Sequence, residues 1–399
     1  MDPVGRSAVV VGAGTGGLAV AGALARTGWR VTLLERAERV RPGRAALVLW
    51  PDGVHALRAL GLADGLDAIA TPVPRTGLRR PDGHWLRQPE TDEADGPVVV
   101  HREDLHDAFV AGLGEHVDVR TGVTVRTARP GTDRPAVGDG RTGWVADLVV
   151  AADGVDGAIR QRYAPGSRPV SGGYAAWRAV LPAYRAPRLS ADTPPAGDTT
   201  GAGHRFTYVA LSERSASHGG YHWTAMAPGA ARPEPPAAQL TLLRRWFAGW
   251  PAPVTELLAA TEPDDLVQER VVDLQPLPES FVFPAGDGGY VLLGEAAHAV
   301  VDPLGLAPSL ALEDAATLQA LLRSAVPGRS LRAALDAYTR ERRTRMLRLA
   351  RASRRLAAVL QARGGLAVRA RQRAFGSLAP RLIDQVATEV AGWQPPVSS

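Results

Sequence analysis

The chain has 399 residues, 45% hydrophobic and 22% charged, which suits a globular protein of two domains or one large α/β domain with a sizeable core. Cysteine is absent, so disulfides, thiolate nucleophiles and zinc-thiolate sites are excluded. All 46 basic residues are arginine, set against 41 acids for a net charge of +5, and so weak and dispersed an excess argues against a nucleic-acid partner.

Residues 7–11 form a valine-rich run, followed by a glycine turn and an alanine-rich helical stretch over 18–26. Residues 30–35 (RVTLLE) read as a second buried strand, completing a βαβ unit. The apolar N-terminus is broken by Gly12, Gly14, Gly16 and Gly17, and no uninterrupted apolar stretch is long enough to span a bilayer. The expectation is a soluble, cytoplasmic protein with no membrane contact.

Further along, the pattern predicts a helix over 53–60, a strand over 98–100, a helix over 103–113 and a buried strand over 146–152. From about residue 165 to 284 the texture changes to many Pro and Gly with strand-like segments at 173–181, 204–211 and 221–226. The buried-strand pattern returns at 289–293, with helices over 310–322 and 331–360 and a further basic helix and tail beyond. The predicted fold is α/β: a Rossmann-like nucleotide-binding domain, an inserted, mostly antiparallel β-sheet substrate domain, and C-terminal helices. The first is assigned to 1–72, 101–165 and 286–363, the second to 73–100 and 166–285, and the C-terminal helix and tail to 364–399.

Gly12-Ala-Gly14-Thr-Gly-Gly17 fits G-x-G-x-x-G between a strand and a helix. The first Gly permits the tight turn, the second lets a pyrophosphate approach the backbone, and the third lets the helix pack on the strand. Glu35, at the end of the second strand and followed by Arg36, is placed to accept both hydroxyls of an adenosine ribose. An acid there repels a 2′-phosphate, so the resident nucleotide is expected to be FAD or NAD.

Three more segments decide between them. His101-Arg102-Glu-Asp-Leu105, Asp153-Gly154-Val-Asp-Gly157-Ala-Ile-Arg160 and Gly294-Glu295-Ala-Ala-His298, followed by Glu313-Asp314-Ala315, stand in that order along the chain. They resemble the x-R-x-x-L, D-G-x-x-S-x-x-R, G-D-A-A-H and E-D-A elements of the FAD-dependent group A monooxygenases, the para-hydroxybenzoate hydroxylase family. Segments 49–54 and 247–250 are similar to those of its salicylate- and urate-hydroxylating branch. The resemblance implies non-covalent FAD, with Arg102, Asp153, Gly154, Arg160, Gly294 and Glu295 as cofactor residues. It also implies NADPH or NADH as a transient electron donor, and a flavin hydroperoxide that hydroxylates or epoxidises a small aromatic or olefinic molecule with molecular oxygen. The acidic cluster 295–314 is expected to grip the flavin, and the protein to be a monomer or homodimer. No metal is expected.

The chain departs from that pattern where the family has P-x-x-G-Q-G-x-N. Here the segment is Asp302-Pro303-Leu304-Gly305-Leu306-Ala307-Pro308-Ser309, in which only Gly305 survives and Pro308 has no N–H to donate. Gly305, Leu306 and Ala307 are expected to face the flavin. The change opens a rival reading, in which the flavin fold no longer oxygenates and serves as a cyclase or isomerase. Asp302 is a candidate acid or base, or simply a loop cap.

The substrate pocket is expected on the strands at 204–211 and 221–226. By the same resemblance, Arg205 falls beside the substrate and His222 stands where that branch has a tyrosine. Arg205 and His222 join Asp302 as catalytic candidates, with Tyr208, Tyr221 and Trp223 as pocket walls. Alternation sets Tyr221 and Trp223 on one strand face and His222 on the other, so either face remains open as the pocket side.

Overall fold

A computed structural model describes residues 5–43, 45–74, 76–89, 96–130, 134–215, 218–361 and 381–396. A six-stranded sheet orders its strands Val282–Ala285, Gly288–Leu292, Leu148–Ala151, Ser7–Val11, Arg30–Leu34 and Val117–Arg120. All neighbours are parallel except the hairpin Val282–Ala285/Gly288–Leu292. Helices cover one side of this sheet and the antiparallel sheet of Thr127–Pro130, Pro135–Gly138 and Gly143–Val145 packs on the other, so its central strands read as continuous apolar runs rather than as alternating ones. The helices Thr15–Arg26 and Ala307–Leu322 pack on each other, and the long helix Arg329–Leu360 lies over Ala307–Leu322 and the hairpin.

A second, seven-stranded sheet runs Val267–Gln275, Arg168–Leu181, Tyr221–Pro228, Arg205–Ala210, Ala196–Thr200, Gly77–Arg79 and Trp85–Arg87. It is antiparallel apart from the pair Ala196–Thr200/Gly77–Arg79. Its two faces have opposite destinies. Ala175, Trp177, Ala179, Phe206, Trp223 and Ala225 point to one side, where Leu240, Leu243 and Phe247 of the helix Pro236–Trp246 and its end, with Leu257 of Val254–Ala260, close a separate core. The other face, carrying Tyr174, Arg178, Arg205, Thr207, His222 and Thr224, looks towards the nucleotide-binding half.

A three-stranded sheet of Ala46–Leu49, Val98–His101 and Ala70–Pro72 lies between the halves and contributes walls to the cavities described below. Among the described residues no helix is long and apolar enough to cross a membrane. Residues 381–391 form a helix, while the preceding part of the expected C-terminal helix, 364–380, lies outside the described residues.

Candidate functional site

The glycine turn joins Ser7–Val11 to Thr15–Arg26 in the manner the motif requires. Gly12, at φ +100°, has the carbonyl oxygen of Ala152 only 2.4 Å from where a Cβ would stand, and a Cβ on Gly17 would meet the Gly12 oxygen at 1.8 Å. A Cβ on Gly14 would meet nothing within 4 Å, because its backbone borders a cavity of about 450 Å³. The helix that follows has no side-chain cap, which leaves first-turn N–H groups for a ligand. Glu35 accepts from Ala13 N–H at 2.8 Å and Ala37 N–H at 2.9 Å and lines the same cavity with Arg36, Arg39, Arg41, Arg102, Asp153, Gly154 and Glu295. One oxygen of Asp153 is buried without a partner, and burial pushes its carboxyl up to about 6. A side chain at Gly157, where the family pattern has Ser, would lie 2.2 Å from that carboxylate.

A second cavity, of about 410 Å³, shares the wall of Gly14, Arg102, Gly154 and Glu295 and continues past Gly294, His298 and Ala307. Arginines around the glycine turn, an uncapped helix start and an acid at the ribose position fit the phosphates and sugar of FAD.

A third cavity, of about 480 Å³, opens beneath the seven-stranded sheet and is roofed by Ile383, Asp384, Ala387 and Thr388 of the 381–391 helix. Arg178, Met226 and Asp302 line both this cavity and the second one. Arg205 is 4% exposed, and each of its three guanidinium nitrogens has a protein partner. Nε and Nη2 grip Asp198, and Nη1 donates to the Pro303 carbonyl. Burial works against the Arg205 charge, but Asp198 outweighs it and raises the pKa. His222 donates Nδ1–H to the Ala179 carbonyl at 3.2 Å, leaving Nε2 3.5 Å from the Thr224 hydroxyl as an acceptor beside the cavity. Desolvation, aided by the nearby Arg178 charge, lowers its pKa to about 3, so the imidazole is neutral.

The altered loop is tied down by bonds of its own. Asp302 accepts from Leu304 N–H at 3.3 Å and Ala307 N–H at 2.8 Å, and burial raises its pKa against those donors. Pro308 sits in the first turn of its helix, where a missing N–H costs nothing. The Ser309 hydroxyl accepts from Trp50 N–H at 2.9 Å, and the Trp50 ring donates to the Leu304 carbonyl at 3.1 Å.

Several expectations need correction. Trp223 is 0% exposed, stacked on Phe206 at 5.2 Å and bonded through its ring N–H to Thr261. It and Tyr221 point to the helix-covered side, so neither walls the cavity, whereas Tyr208 reaches its edge. Arg160 folds back onto the Ser167 and Val155 carbonyls and pins its own turn instead of facing the nucleotide cleft. Gly17 and Leu306 are packed away from the cavities, and Gly305 borders the third cavity, not the nucleotide cleft. Within the acidic cluster, Glu295 and His298 line the second cavity, but Glu313 and Asp314 are buried behind it. Asp314 accepts from Gly294 N–H at 2.7 Å, His298 Nε2 at 2.6 Å and Arg342 Nε at 2.5 Å, while Glu313 is held by Arg342 and Arg345.

The sequence reading missed Arg178 and Asp198, and did not place the expected C-terminal helix over the cavity. Arg178 could have been found as the one charge within the apolar run 173–181, whereas Asp198 lies in a segment whose composition hid its strand.

Comparisons with known proteins agree with this geometry. Residues 6–193 match a family model described as an FAD binding domain. The chain is 32% identical over 356 residues to the 3-amino-4-hydroxybenzoate 2-monooxygenase of Streptomyces cremeus, covering 87% of this chain and 86% of that protein. It is 28% identical to the Aurachin C monooxygenase/isomerase of Stigmatella aurantiaca, covering 79% and 80% of the two chains. The crystal structure of Klebsiella pneumoniae HpxO with FAD and uric acid superposes with a TM-score of 0.80 at 25% identity, over 96% of each chain. The chain therefore belongs to the group A FAD-dependent flavoprotein monooxygenases.

Proposed function

We propose that this FAD-dependent monooxygenase draws electrons from NADPH or NADH and hydroxylates or epoxidises a small aromatic or olefinic molecule held in the cavity beneath residues 381–391. The observation that carries the reading is the run of three cavities with shared walls, from the glycine turn to the seven-stranded sheet. Relatives named for aminohydroxybenzoate and urate support an aromatic substrate.

Bound FAD supplies the redox chemistry, taking electrons from the nicotinamide and activating oxygen. The protein's tasks are holding, orienting and excluding water. Glu35 would accept the ribose hydroxyls. The helix start at Thr15, with Arg36 and Arg102, would face the phosphates, and Asp153, Gly154, Gly294, Glu295 and Ala307 would shape the remaining wall. On the substrate side, neutral His222 would accept a hydrogen bond from a substrate N–H or O–H. Arg205 would act from behind, fixing Asp198 and the Pro303 carbonyl as part of the cavity floor. Adding oxygen to a ring bearing such a group goes with loss of a substrate proton. Asp302, a carboxyl bordering both cavities, is placed to take it.

One observation favours a second reading, a flavin-dependent isomerase or cyclase without oxygenation. The N–H of Ala307, at the helix start that would face the flavin, is already engaged by Asp302, and Pro308 offers none. The test is oxygen consumption with NADPH across a panel of phenols, quinolones and purines, with mass analysis of the products. Gain of one oxygen atom supports the monooxygenase; rearranged product of unchanged mass supports the isomerase.

A further inference from the structure

The charged groups beside the third cavity are unequally committed. Arg205 is gripped through all three nitrogens, Asp302 is engaged by two loop N–H groups, and His222 carries no charge near neutral pH. Arg178 differs. Its Nη2 lies 3.0 Å from Glu269, its Nε has no protein partner, and it borders both the second and the third cavity. Glu269 is 34% exposed and borders only the second cavity of the two, so solvent screens its hold on the arginine.

We infer that Arg178, rather than Arg205, is the residue that binds an anionic oxygen of the substrate, at the junction of the two cavities. This rests on the monooxygenase reading of the site and names a specificity-determining residue within it. A guanidinium largely withdrawn from solvent, with a spare N–H, is satisfied by an oxyanion, and shielding from bulk water strengthens that contact. The other groups set around it are Asp302, His222 and Tyr174, with Arg205 beyond them. The Asp302 carboxylate is already engaged by the Leu304 and Ala307 N–H groups, so it competes only in part for Arg178. His222, neutral and accepting through Nε2, would take the donor group that a phenol or heterocycle presents beside its anion.

The test uses the FAD-loaded enzyme and paired probes of one shape, benzoate against benzamide and 2-naphthoate against 2-naphthamide, titrated by calorimetry and by the change in flavin absorption. The wild type should bind the carboxylates more tightly than the amides. Arg178→Gln should lose about tenfold to a hundredfold in carboxylate affinity, the range for a lost hydrogen bond to a charged group, with amide affinity little changed. Arg178→Lys should recover part of the preference. A wild type that binds no probe, or shows no preference for the carboxylates, overturns the assignment, as does an Arg178→Gln variant that keeps the preference. If the loaded enzyme still oxidises NADPH and consumes oxygen, only the Arg178 assignment falls; a chain that takes up no FAD overturns the monooxygenase reading and this inference together.

Discussion

Arg205 lies in a fork against Asp198, its Nε 3.0 Å from one carboxylate oxygen and its Nη2 2.7 Å from the other, both residues buried. The pair holds neighbouring strands Ala196–Thr200 and Arg205–Ala210 and, through the Pro303 carbonyl, anchors the loop that carries Asp302. Removing one partner leaves an uncompensated buried charge. Arg205→Ala is expected to lose about 3–5 kcal/mol of stability in urea unfolding. The double variant Arg205→Met/Asp198→Leu should recover most of that loss. A single variant as stable as the wild type would show that the fork does not hold the sheet.

His222 gives the protein an acid-sensitive element. Its pKa in the folded state is about 3, below the unfolded value of roughly 6.5, so the unfolded chain takes up the proton first as pH falls. The stability of neutral His222 is therefore fully present above about pH 6.5 and is lost progressively between there and pH 3, by on the order of 3 kcal/mol near pH 4. In His222→Gln this part of the pH dependence should vanish, so the variant's stability deficit at pH 7 should shrink as pH falls. Parallel stability curves for the two proteins would sink the assignment.

Asp302 separates two roles. Its raised pKa means that the folded state costs increasing stability as pH climbs above the unfolded carboxylate value. Asp302→Asn removes that cost and keeps an oxygen for the Ala307 N–H, so its stability at neutral pH should equal or exceed that of the wild type. Turnover should nonetheless fall by about a hundredfold or more, the usual weight of a general base, and lose its acid limb. Unaltered turnover and pH profile would make Asp302 a loop cap alone.

Glu35 is tested through the cofactor. Its carboxylate organises the turn by accepting from Ala13 and Ala37, besides facing the nucleotide cleft. Glu35→Ala is expected to weaken FAD retention by about tenfold to a hundredfold, read from the rise in flavin fluorescence on dilution. Full retention would remove Glu35 from the ribose.

What was legible in the sequence was set by backbone constraints. Gly12 and Gly17 cannot bear a side chain where they stand, and the central strands are covered on both sides, so turn and strands alike left a plain trace. The substrate side was harder to read. Alternation correctly set Tyr221 and Trp223 together and opposite His222, but which face meets the cavity is decided by the helices Pro236–Trp246 and Val254–Ala260, whose packing no local pattern reveals. Ala196–Thr200 (AGDTT) has the composition of a turn, yet all five residues are buried, and its Asp198 is what occupies Arg205. Glu313 and Asp314 read as ligand-facing because acids beside a glycine-rich strand end often are; their arginine partners, Arg342 and Arg345, lie about 30 residues further along the chain on another helix.

The most direct test of the account is the visible absorption spectrum of the purified, FAD-supplied protein, taken anaerobically with NADPH or NADH in the presence of the substrate panel and again after admitting oxygen. The account predicts a bound-flavin spectrum that bleaches with the nicotinamide and returns with oxygen. A protein that retains no flavin, or a bound flavin that neither nicotinamide bleaches with any member of the panel, would contradict it.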